Sequence, residues 1–278
     1  MVLCYSFPMA KTKKKTLPPM ERFDNYYINY YKDRWPSLKE ALLKKSNPIE
    51  LKSDLVEPYY MDEASIICAN LLNIEEGDAV LDMCAAPGGK TLILASKLKG
   101  TGYLVSNDRS SKRRARLHSV INDHLIEEYR ENIKVTAHDS TKWGIFEKNV
   151  YDKILLDAPC SSERHVLSTP SALELWTSNR PKHLSYQQFA MLAAALDAVK
   201  PGGYVLYSTC AITPQEDEEV IEKLFKKRKG KFELIDFDAE YSEKKKYGQI
   251  ILPDTANGRG PLYFCLIKKM EEVEEENE

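Results

Sequence analysis

The chain has 278 residues, a formal net charge of -2, 43% hydrophobic residues and 29% charged residues. This length allows one large domain, and the composition is that of an ordinary globular protein rather than a highly basic or disordered one. No stretch approaches the about 20 apolar residues of a membrane span, and the start lacks the basic region of a secretory signal, so we expect a cytoplasmic protein, or one of an organelle matrix in a eukaryote.

Residues 1–60 are predicted to form a small helical extension with a basic start. Translation could begin at Met1 or at Met9, and a single sequence does not distinguish them. The segment ERFDNYYINYYKDRWPSLKEALLKK is aromatic, charged and mostly helical, and Trp35-Pro36 is predicted to break it. We expect its tyrosines to pack against the main domain rather than to stack on bases.

Residues 61–270 are predicted to form one domain. From about residue 78, strand-like and helix-like segments alternate, which is typical of an α/β fold with a parallel sheet covered on both faces. Strands are predicted at 78–85, 102–108, 132–139, 151–159 and 202–210, followed by FELIDF and GPLYFCLIKK. Helices are predicted at GKTLILASKL, SKRRARLHSVINDHL, LSYQQFAMLAAALDAV and PQEDEEVIEKLFKKR. The prediction is a doubly wound, mostly parallel, seven-stranded domain, and the acidic residues 271–278 are expected to be disordered.

The first strand leads into LDMCAAPGGKT, residues 81–91, which resembles a phosphate-binding loop. Such a loop needs G-x-x-x-x-G-K-[ST], and Gly89, Lys90 and Thr91 match its end. The position of the first glycine holds Cys84, which makes a phosphate loop a poor fit. A P-loop NTPase that uses Lys90 and Thr91 remains an alternative, since LLDAP resembles a magnesium-binding strand end.

Three acidic residues end successive predicted strands and favour a different ligand. Asp82 ends the first strand, Asp108 the second and Asp139 the third. In a doubly wound fold, ligands bind outside these strand ends, where Asp108 can accept the ribose hydroxyls and Asp139 can face the adenine amino group. This pattern predicts S-adenosylmethionine rather than NAD, because no G-x-G-x-x-G is present.

Two cysteines follow the next two strands. Cys160 lies in DAPC and Cys210 in STC, so adjacent strand ends would bring them together. Methylation of cytosine at C5 needs a thiolate that adds to C6, and a second cysteine can assist its release. Asp157 would stabilise the ring through N3 if burial keeps it protonated. The alternatives are two inert core thiols or a disulfide, which a reducing compartment disfavours.

LDMCAAPGGKT, DAPCSSERH and YSTCAITPQEDEEV resemble motifs of the RsmB/NSUN family of RNA cytosine-5 methyltransferases, a family with a Rossmann-like class I methyltransferase fold. KDRWPSLKEALL, EPYYMDEAS and GPLYFC are similar to the branch that contains the mitochondrial ribosomal-RNA enzyme. The resemblance implies that Cys210 is the nucleophile, that Cys160 assists product release, and that Asp157 and Lys90 act beside them. It implies a cofactor site formed by Cys84, Ala85, Ala86, Pro87, Gly88, Gly89, Lys90, Asp108, Arg109, Asp139, Ser140 and Asp157.

One departure from the family pattern follows the nucleophile. The family often has Glu-Asn-Glu there, whereas this chain has Glu216-Asp217-Glu218. We expect the change to be tolerated, because acidic residues at the start of a helix suit its dipole.

The segment between Cys160 and Leu184 is predicted to be a loop-like stretch that contacts RNA. Its candidate RNA-binding residues are Arg164, His165, Arg180 and Lys182, with Trp176 between them. The alternative is a lid that touches only protein. The six cysteines and the histidines show no metal-ligand spacing, so no metal is expected.

The predicted partner is RNA, with ribosomal RNA favoured by the branch resemblance and transfer RNA as the alternative. Specificity could come from the N-terminal region, from a ribosomal subunit or from a protein partner. A non-catalytic RNA-binding assembly factor with the same fold is a further alternative. Oligomeric state cannot be read from the sequence.

Overall fold

The computed structural model describes residues 17–271. The expectations for the basic start, for Met1 or Met9 and for residues 272–278 of the acidic tail lie outside the described residues. The helices are α1 (Pro19–Tyr31), α2 (Trp35–Leu43), α3 (Glu63–Asn70), α4 (Gly89–Leu98), α5 (Ser111–His124), α6 (Glu127–Arg130), α7 (Trp143–Phe146), α8 (Glu163–Ser168), α9 (Pro170–Leu175), α10 (Asn179–Ala198) and α11 (Glu218–Lys227). Short 3₁₀ turns lie at Lys32–Arg34 and Ser140–Lys142.

The strands form one large sheet and a two-stranded ribbon. They are β1 (Ile49–Glu50), β2 (Tyr60–Met61), β3 (Ala79–Asp82), β4 (Tyr103–Asn107), β5 (Ile133–Thr136), β6 (Tyr151–Asp157), β7 (Val199–Thr209), β8 (Phe232–Ile235), β9 (Ser242–Lys244), β10 (Gln249–Ile251) and β11 (Leu262–Lys269). The sheet order is β5-β4-β3-β6-β7-β11-β10-β9, and β8 also pairs with β11. Strands β3 to β7 are parallel, and β11 is antiparallel to β7.

The doubly wound fold is confirmed, with two more strands than predicted. All seven predicted strands form, but the described part of the sheet has nine, because β9 and β10 add an antiparallel hairpin. Each of these strands has three residues, and the segment SEKKKYGQII is too charged to show an alternating apolar pattern. The chain reverses its winding direction between β3 and β6, so the crevice beyond these strands is where ligands bind in such folds.

Helices cover both faces of the sheet. Successive residues of a strand point to opposite faces, so Ile154 of β6 packs in the cluster that contains Leu192 of α10, while Leu155 packs in the cluster that contains Leu92 of α4. This two-sided burial explains the continuous apolar runs of the central strands.

The N-terminal helices share the core of the sheet. Phe23 and Tyr27 of α1 are fully buried, and Tyr27 stacks on Trp35 with ring centroids 5.0 Å apart. Packing against the main domain is confirmed for Tyr27, which shares a core cluster with main-domain residues, whereas Tyr30 is exposed. The break lies about one turn earlier than predicted: the chain turns at Lys32, with φ 49°, and Pro36 lies in the first turn of α2, where its missing N–H needs no partner. The domain boundary at residue 60 stays a prediction.

Among residues 17–271, no helix combines the length and the apolar character that a bilayer crossing requires.

Candidate active site

The turn between β3 and α4 has a backbone suited to ligand approach. Gly88 has φ +122°, and a Cβ there would lie 2.9 Å from the Cγ1 atom of Val120, so only glycine fits. No side chain caps the start of α4, which leaves the first N–H groups of this helix directed to the crevice. Cys84 is buried at the base of the turn, and its burial raises the pKa of the thiol.

Asp82 plays a structural part in this turn. Its Oδ2 atom accepts a hydrogen bond of 2.7 Å from Thr91, while Oδ1 is buried without a partner in the structure. Burial raises the pKa of Asp82 to about 7. The side chain also lines a cavity of about 210 Å³ together with Gly89 and Lys90.

The end of β4 forms a second cavity next to this turn. Asp108 is buried, its Oδ1 atom accepts a hydrogen bond of 2.9 Å from the Ser110 amide, and Arg113 lies 3.3 Å from Oδ2. The cavity has a volume of about 120 Å³ and combines apolar and polar walls. Its lining consists of Met83, Cys84, Asp108, Arg109, Ser110, Arg113, Asp139, Ser140, Pro159, Gln187 and Met191.

Asp139 and Ser140 occupy the rim of this second cavity. The Oδ1 atom of Asp139 accepts hydrogen bonds from the hydroxyl and the amide of Thr141, which lowers the pKa of Asp139. Ser140 is buried and donates a hydrogen bond of 2.8 Å to the Met83 carbonyl. Arg109 is largely exposed, and its guanidinium lies 3.9 Å from Asp139.

The donor set of this cavity suits an adenosine-bearing cofactor. The apolar side chains of Met83, Pro159 and Met191 can enclose a flat base, while Asp108 offers buried carboxylate oxygens to ribose hydroxyls. The uncapped start of α4 supplies amides for a carboxylate. These features fit S-adenosylmethionine without a triphosphate site.

The structure brings the two predicted cysteines into contact. Parallel strands β6 and β7 align Asp157 with Ser208, so the turns that follow them are neighbours. The Sγ atoms of Cys160 and Cys210 lie 2.6 Å apart, farther than the about 2.05 Å of a disulfide bond, and both are free thiols. Both face a cavity of about 730 Å³ that borders the cofactor-side cavities at Cys84.

The environments of the two thiols differ. A hydrogen bond from Cys160, assisted by Ser162 at 3.3 Å, lowers the pKa of Cys210. The same contact with Cys210, together with burial, raises the pKa of Cys160 well above its usual value. These two directions agree with the roles that the family resemblance implies, in which Cys210 attacks as a thiolate and Cys160 assists.

Asp157 forms an ion pair instead of standing alone. Lys90 Nζ lies 2.5 Å from Oδ2 of Asp157, and the Ser208 hydroxyl donates a hydrogen bond of 2.9 Å to Oδ1. Burial alone would lower the pKa of Lys90, but the Asp157 carboxylate outweighs it and raises the pKa. The predicted role of Asp157 assumed a buried side chain, but the side chain is one-third exposed and both of its oxygens accept hydrogen bonds.

The predicted loop between Cys160 and Leu184 is wrong, because this segment forms α8, α9 and the start of α10. Trp176 is buried against Phe23, with ring centroids 4.9 Å apart. Arg164 donates hydrogen bonds to the carbonyls of Lys44, Gly258 and Gly260, so its guanidinium braces three chain segments at the wall of the large cavity.

The other three candidate RNA-binding residues lie at the surface. His165 is exposed and lines the large cavity. Arg180 and Lys182 are exposed at the start of α10, outside the lining of the cavities described above. Contact of these four residues with RNA stays a prediction.

The sequence reasoning missed the buried acidic residues behind the cysteines. Glu163, Glu216 and Asp217 are almost fully buried, and burial raises the pKa of each. The explanation of Glu216 and Asp217 as helix-dipole residues is wrong, because α11 begins at Glu218 and Asp217 accepts a hydrogen bond of 2.8 Å from Thr209. Glu216 lies two residues before α11, and nothing in the sequence at such a position predicts that an acidic side chain is buried.

Arg113 was also missed. It lines both the cofactor-side cavity and the large cavity, and it donates a hydrogen bond to the Ala86 carbonyl. Its place in the basic run KRRAR gave no sign of this, because such runs are usually solvated. Among residues 17–271, no group of three or more His, Cys, Asp or Glu side chains is arranged to hold a metal ion.

The chain is similar to characterised RNA methyltransferases. It is 33% identical over 237 residues to the mouse protein named 5-cytosine rRNA methyltransferase NSUN4, in an alignment that covers 78% of this chain and 61% of that protein. It is 32% identical over 229 residues to the zebrafish (Danio rerio) mitochondrial tRNA (cytosine(34)-C(5))-methyltransferase, covering 78% of this chain and 62% of that protein. The chain thus spans about three fifths of the length of these relatives.

Solved structures share the fold. PH0851 superposes with a TM-score of 0.76 at 21% identity, covering 94% of this chain and 70% of that chain. NSun6 from Pyrococcus horikoshii, solved with SFG, superposes with a TM-score of 0.64 at 26% identity, covering 77% of this chain and 54% of that chain. The model of the family described as 16S rRNA methyltransferase RsmB/F matches residues 69–267. With this match, and with two contacting thiols beside a Rossmann-like cofactor crevice, the chain belongs to the RsmB/F methyltransferase family.

Proposed function

We propose that this protein transfers a methyl group from S-adenosylmethionine to C5 of cytosine in RNA, with ribosomal RNA as the substrate. The observation that carries the proposal is the contact between Cys160 and Cys210 at the wall of a cavity that also contains the Lys90–Asp157 pair. A phosphate-hydrolysing role is less well supported, because the ammonium of Lys90 is committed to Asp157.

The cofactor would be held by the turn of residues 84–90 and by the strand ends beside it. Asp108 would accept the ribose hydroxyls, Asp139 and Ser140 would lie beside the adenine, and the amides at the start of α4 would face the carboxylate. When bound, S-adenosylmethionine supplies an electrophilic methyl group.

Cys210 and Cys160 have different roles in the reaction at the base. The thiolate of Cys210 adds to C6, so that C5 becomes nucleophilic enough to take the methyl group. The C5 proton then passes to water in the open cavity, and the electron pair of that C–H bond re-forms the C5–C6 double bond as the bond between Sγ and C6 breaks. The thiol of Cys160 donates to the departing sulfur of Cys210, which stabilises the thiolate that is released.

Lys90 and Asp157 act on the charge that builds up in the ring. Addition at C6 places negative charge on the ring, toward N3 and O2, and the Lys90 ammonium, already positioned by Asp157, can stabilise this charge without rearrangement. Asp157 and Lys90 both line the cavity, so the Lys90 ammonium can face the charged edge of the ring while Asp157 holds it in place. The pair therefore takes the place of the lone protonated acid expected from the sequence.

The identity of the RNA rests on the relatives. The mouse relative is named for ribosomal RNA and the zebrafish relative for transfer RNA, and the resemblance of the N-terminal segment favours the former. The target cytosine has to be unpaired or flipped to reach the cavity. A ribosomal particle or a protein partner would supply further specificity, in the cytoplasm or in an organelle matrix.

The proposal is tested by trapping the covalent adduct. Wild-type protein, Cys160→Ala and Cys210→Ala are incubated with cellular RNA and S-adenosylmethionine, and denaturant-resistant protein–RNA adducts are isolated and their RNA sequenced. Cys160→Ala should accumulate adduct and Cys210→Ala should form none. Absence of both adduct and 5-methylcytosine with every protein, even on ribosomal precursor particles, would contradict the proposal and favour a non-catalytic assembly factor.

A further inference from the structure

The turns that carry the two catalytic cysteines are joined through one buried carboxyl group. Glu163 accepts hydrogen bonds from the Ser161 hydroxyl and, at 3.2 Å, from the Ile212 amide. Ser161 directly follows Cys160, and Ile212 is the second residue after Cys210. The side chain of Glu163 therefore links the two turns and sets the distance between them.

Helix α1 of the N-terminal extension holds this carboxyl group. The Tyr27 hydroxyl donates a hydrogen bond of 2.6 Å to Glu163, and both side chains are fully buried. The Tyr31 hydroxyl donates a hydrogen bond of 2.7 Å to the carbonyl of Ile212. The Ile212 amide is therefore connected to α1 through Glu163 and Tyr27, and the Ile212 carbonyl is connected to α1 through Tyr31.

A second carboxyl group fixes the Cys160 turn from the other side. Glu216 accepts hydrogen bonds of 3.0 Å from the Ser161 amide and 2.8 Å from Gln188. Gln188 also donates to the Pro159 carbonyl at 2.9 Å. The turn from Pro159 to Glu163 is therefore held on both sides, and its contact with the Cys210 turn depends on Glu163.

The chemistry of the cysteine pair is sensitive to this contact. Thiol–thiolate hydrogen bonding requires the two sulfurs at contact distance, and loss of the donor removes the stabilisation of the thiolate. Burying a carboxyl group is costly, and no basic side chain among residues 17–271 forms an ion pair with Glu163. A costly buried group beside both catalytic turns is better explained by positioning than by stability.

We propose that Tyr27 and Glu163 are positioning residues that hold the turn of Cys160 against the turn of Cys210 and so keep the two sulfur atoms in contact. This inference rests on the proposed role of Cys210 as the nucleophile. It gives the N-terminal extension a part in positioning the cysteines, although neither Tyr27 nor Tyr31 lines the cavity that the cysteines face.

The test uses Tyr27→Phe, which removes one hydroxyl and keeps the buried ring. The matched control is Tyr151→Phe, because Tyr151 is also buried and donates to a carboxylate, that of Glu147, at the opposite end of β6. The rate of Cys210 alkylation by iodoacetamide is followed by peptide mass spectrometry across pH, without RNA. Glu163→Gln serves as a second variant if it folds.

Tyr27→Phe should loosen the hold of Glu163 on the two turns, so that the Cys160 thiol no longer stays in hydrogen-bond contact with Cys210. The midpoint of Cys210 alkylation should then move upward by about one pH unit, since the loss of a hydrogen bond to the thiolate raises its pKa by that order. It should lower kcat about tenfold with an unchanged KM for RNA, while Tyr151→Phe leaves the profile and kcat unaltered. A Tyr27→Phe profile that matches wild type would overturn the inference. Because alkylation needs no RNA, failure of the proposed function would show separately, as absent methyl transfer with a normal alkylation profile.

Discussion

The two halves of the ligand-binding edge are built in different ways. On the cofactor side, the acids that follow β4 and β5 accept hydrogen bonds from backbone amides two residues away, Asp108 from Ser110 and Asp139 from Thr141. On the base side, β6 and β7 end in cysteines whose turns are held by distant side chains, such as Tyr27, 136 residues from Glu163. We therefore expect cofactor binding to depend on local turns, and the contact of the two cysteines to depend on long-range packing that includes the N-terminal helices.

The largest expected effect is on the base side, where removal of Lys90 leaves Asp157 without its cation. Lys90→Met should lower kcat/KM for methyl transfer by about 10²- to 10³-fold, because a preorganised charge pair next to the reacting ring is lost. Single-turnover transfer of a labelled methyl group measures it. Lys99→Met is the control, since Lys99 pairs with Glu76 at the surface. A loss similar to the control would show that the pair takes no part in the reaction.

A cofactor-side change should alter binding and leave the thiols unaffected. Asp108→Asn removes a buried carboxylate and should weaken S-adenosylmethionine binding by about tenfold to a hundredfold, the effect of a lost charge-assisted hydrogen bond. Calorimetric titration measures the affinity, and the alkylation profile of Cys210 should not change. A shifted alkylation profile would mean that the two halves are not independent.

The buried acid behind the cysteines should make stability depend on pH. Burial raises the pKa of Glu216 to about 7, so the folded state holds a proton that the unfolded state releases near pH 4.5. The free energy of unfolding should therefore fall as pH rises from about 4.5 through 7. Glu216→Gln should remove part of this fall and gain on the order of 1 to 3 kcal/mol relative to wild type at pH 8. Urea unfolding at pH 5 and pH 8 measures it, and an equal pH dependence in both proteins would contradict the assignment.

The smallest expected effect is at the exposed start of α10. Arg180→Gln with Lys182→Gln should reduce the slope of RNA affinity against salt by about 0.7 for each phosphate that is no longer neutralised. Filter binding of single-stranded RNA at several salt concentrations measures the slope, with Lys134→Gln on β5 as the control. An unchanged slope would remove these two residues from the RNA-binding surface and leave a lid as the interpretation of the segment.

The same contrast explains which features could be read from the sequence. Strand ends, the glycine turn and the two cysteines were predictable, because period, turn residues and parallel topology fix them locally. The Lys90–Asp157 pair was not, because its members are 67 residues apart and each has a separate motif role. Glu163 and Glu216 were missed for the same reason: burial of an acid depends on which distant side chains surround it, here Tyr27 and Gln188.

The sequence pattern also failed to predict two kinds of short element: the hairpin β9–β10 and the helices between Cys160 and Leu184. Segments of three to six residues show too few periods to be recognised, and tertiary packing decides their conformation. Trp176 is an example: it packs against Phe23 and so holds in place a segment whose polar sequence predicts a loop.

The central claim is that Cys210, and not Cys160, attacks the base. The most direct measurement is the mapping of the cross-linked cysteine after incubation with S-adenosylmethionine and RNA that carries 5-fluorocytidine, in which C5 has no proton to lose and the adduct cannot resolve. Nuclease digestion and peptide mass spectrometry then locate the bound nucleotide. We expect it on the peptide that contains Cys210. A nucleotide bound to Cys160 would reverse the two roles and contradict the assignment of Cys210 as the thiolate of the pair.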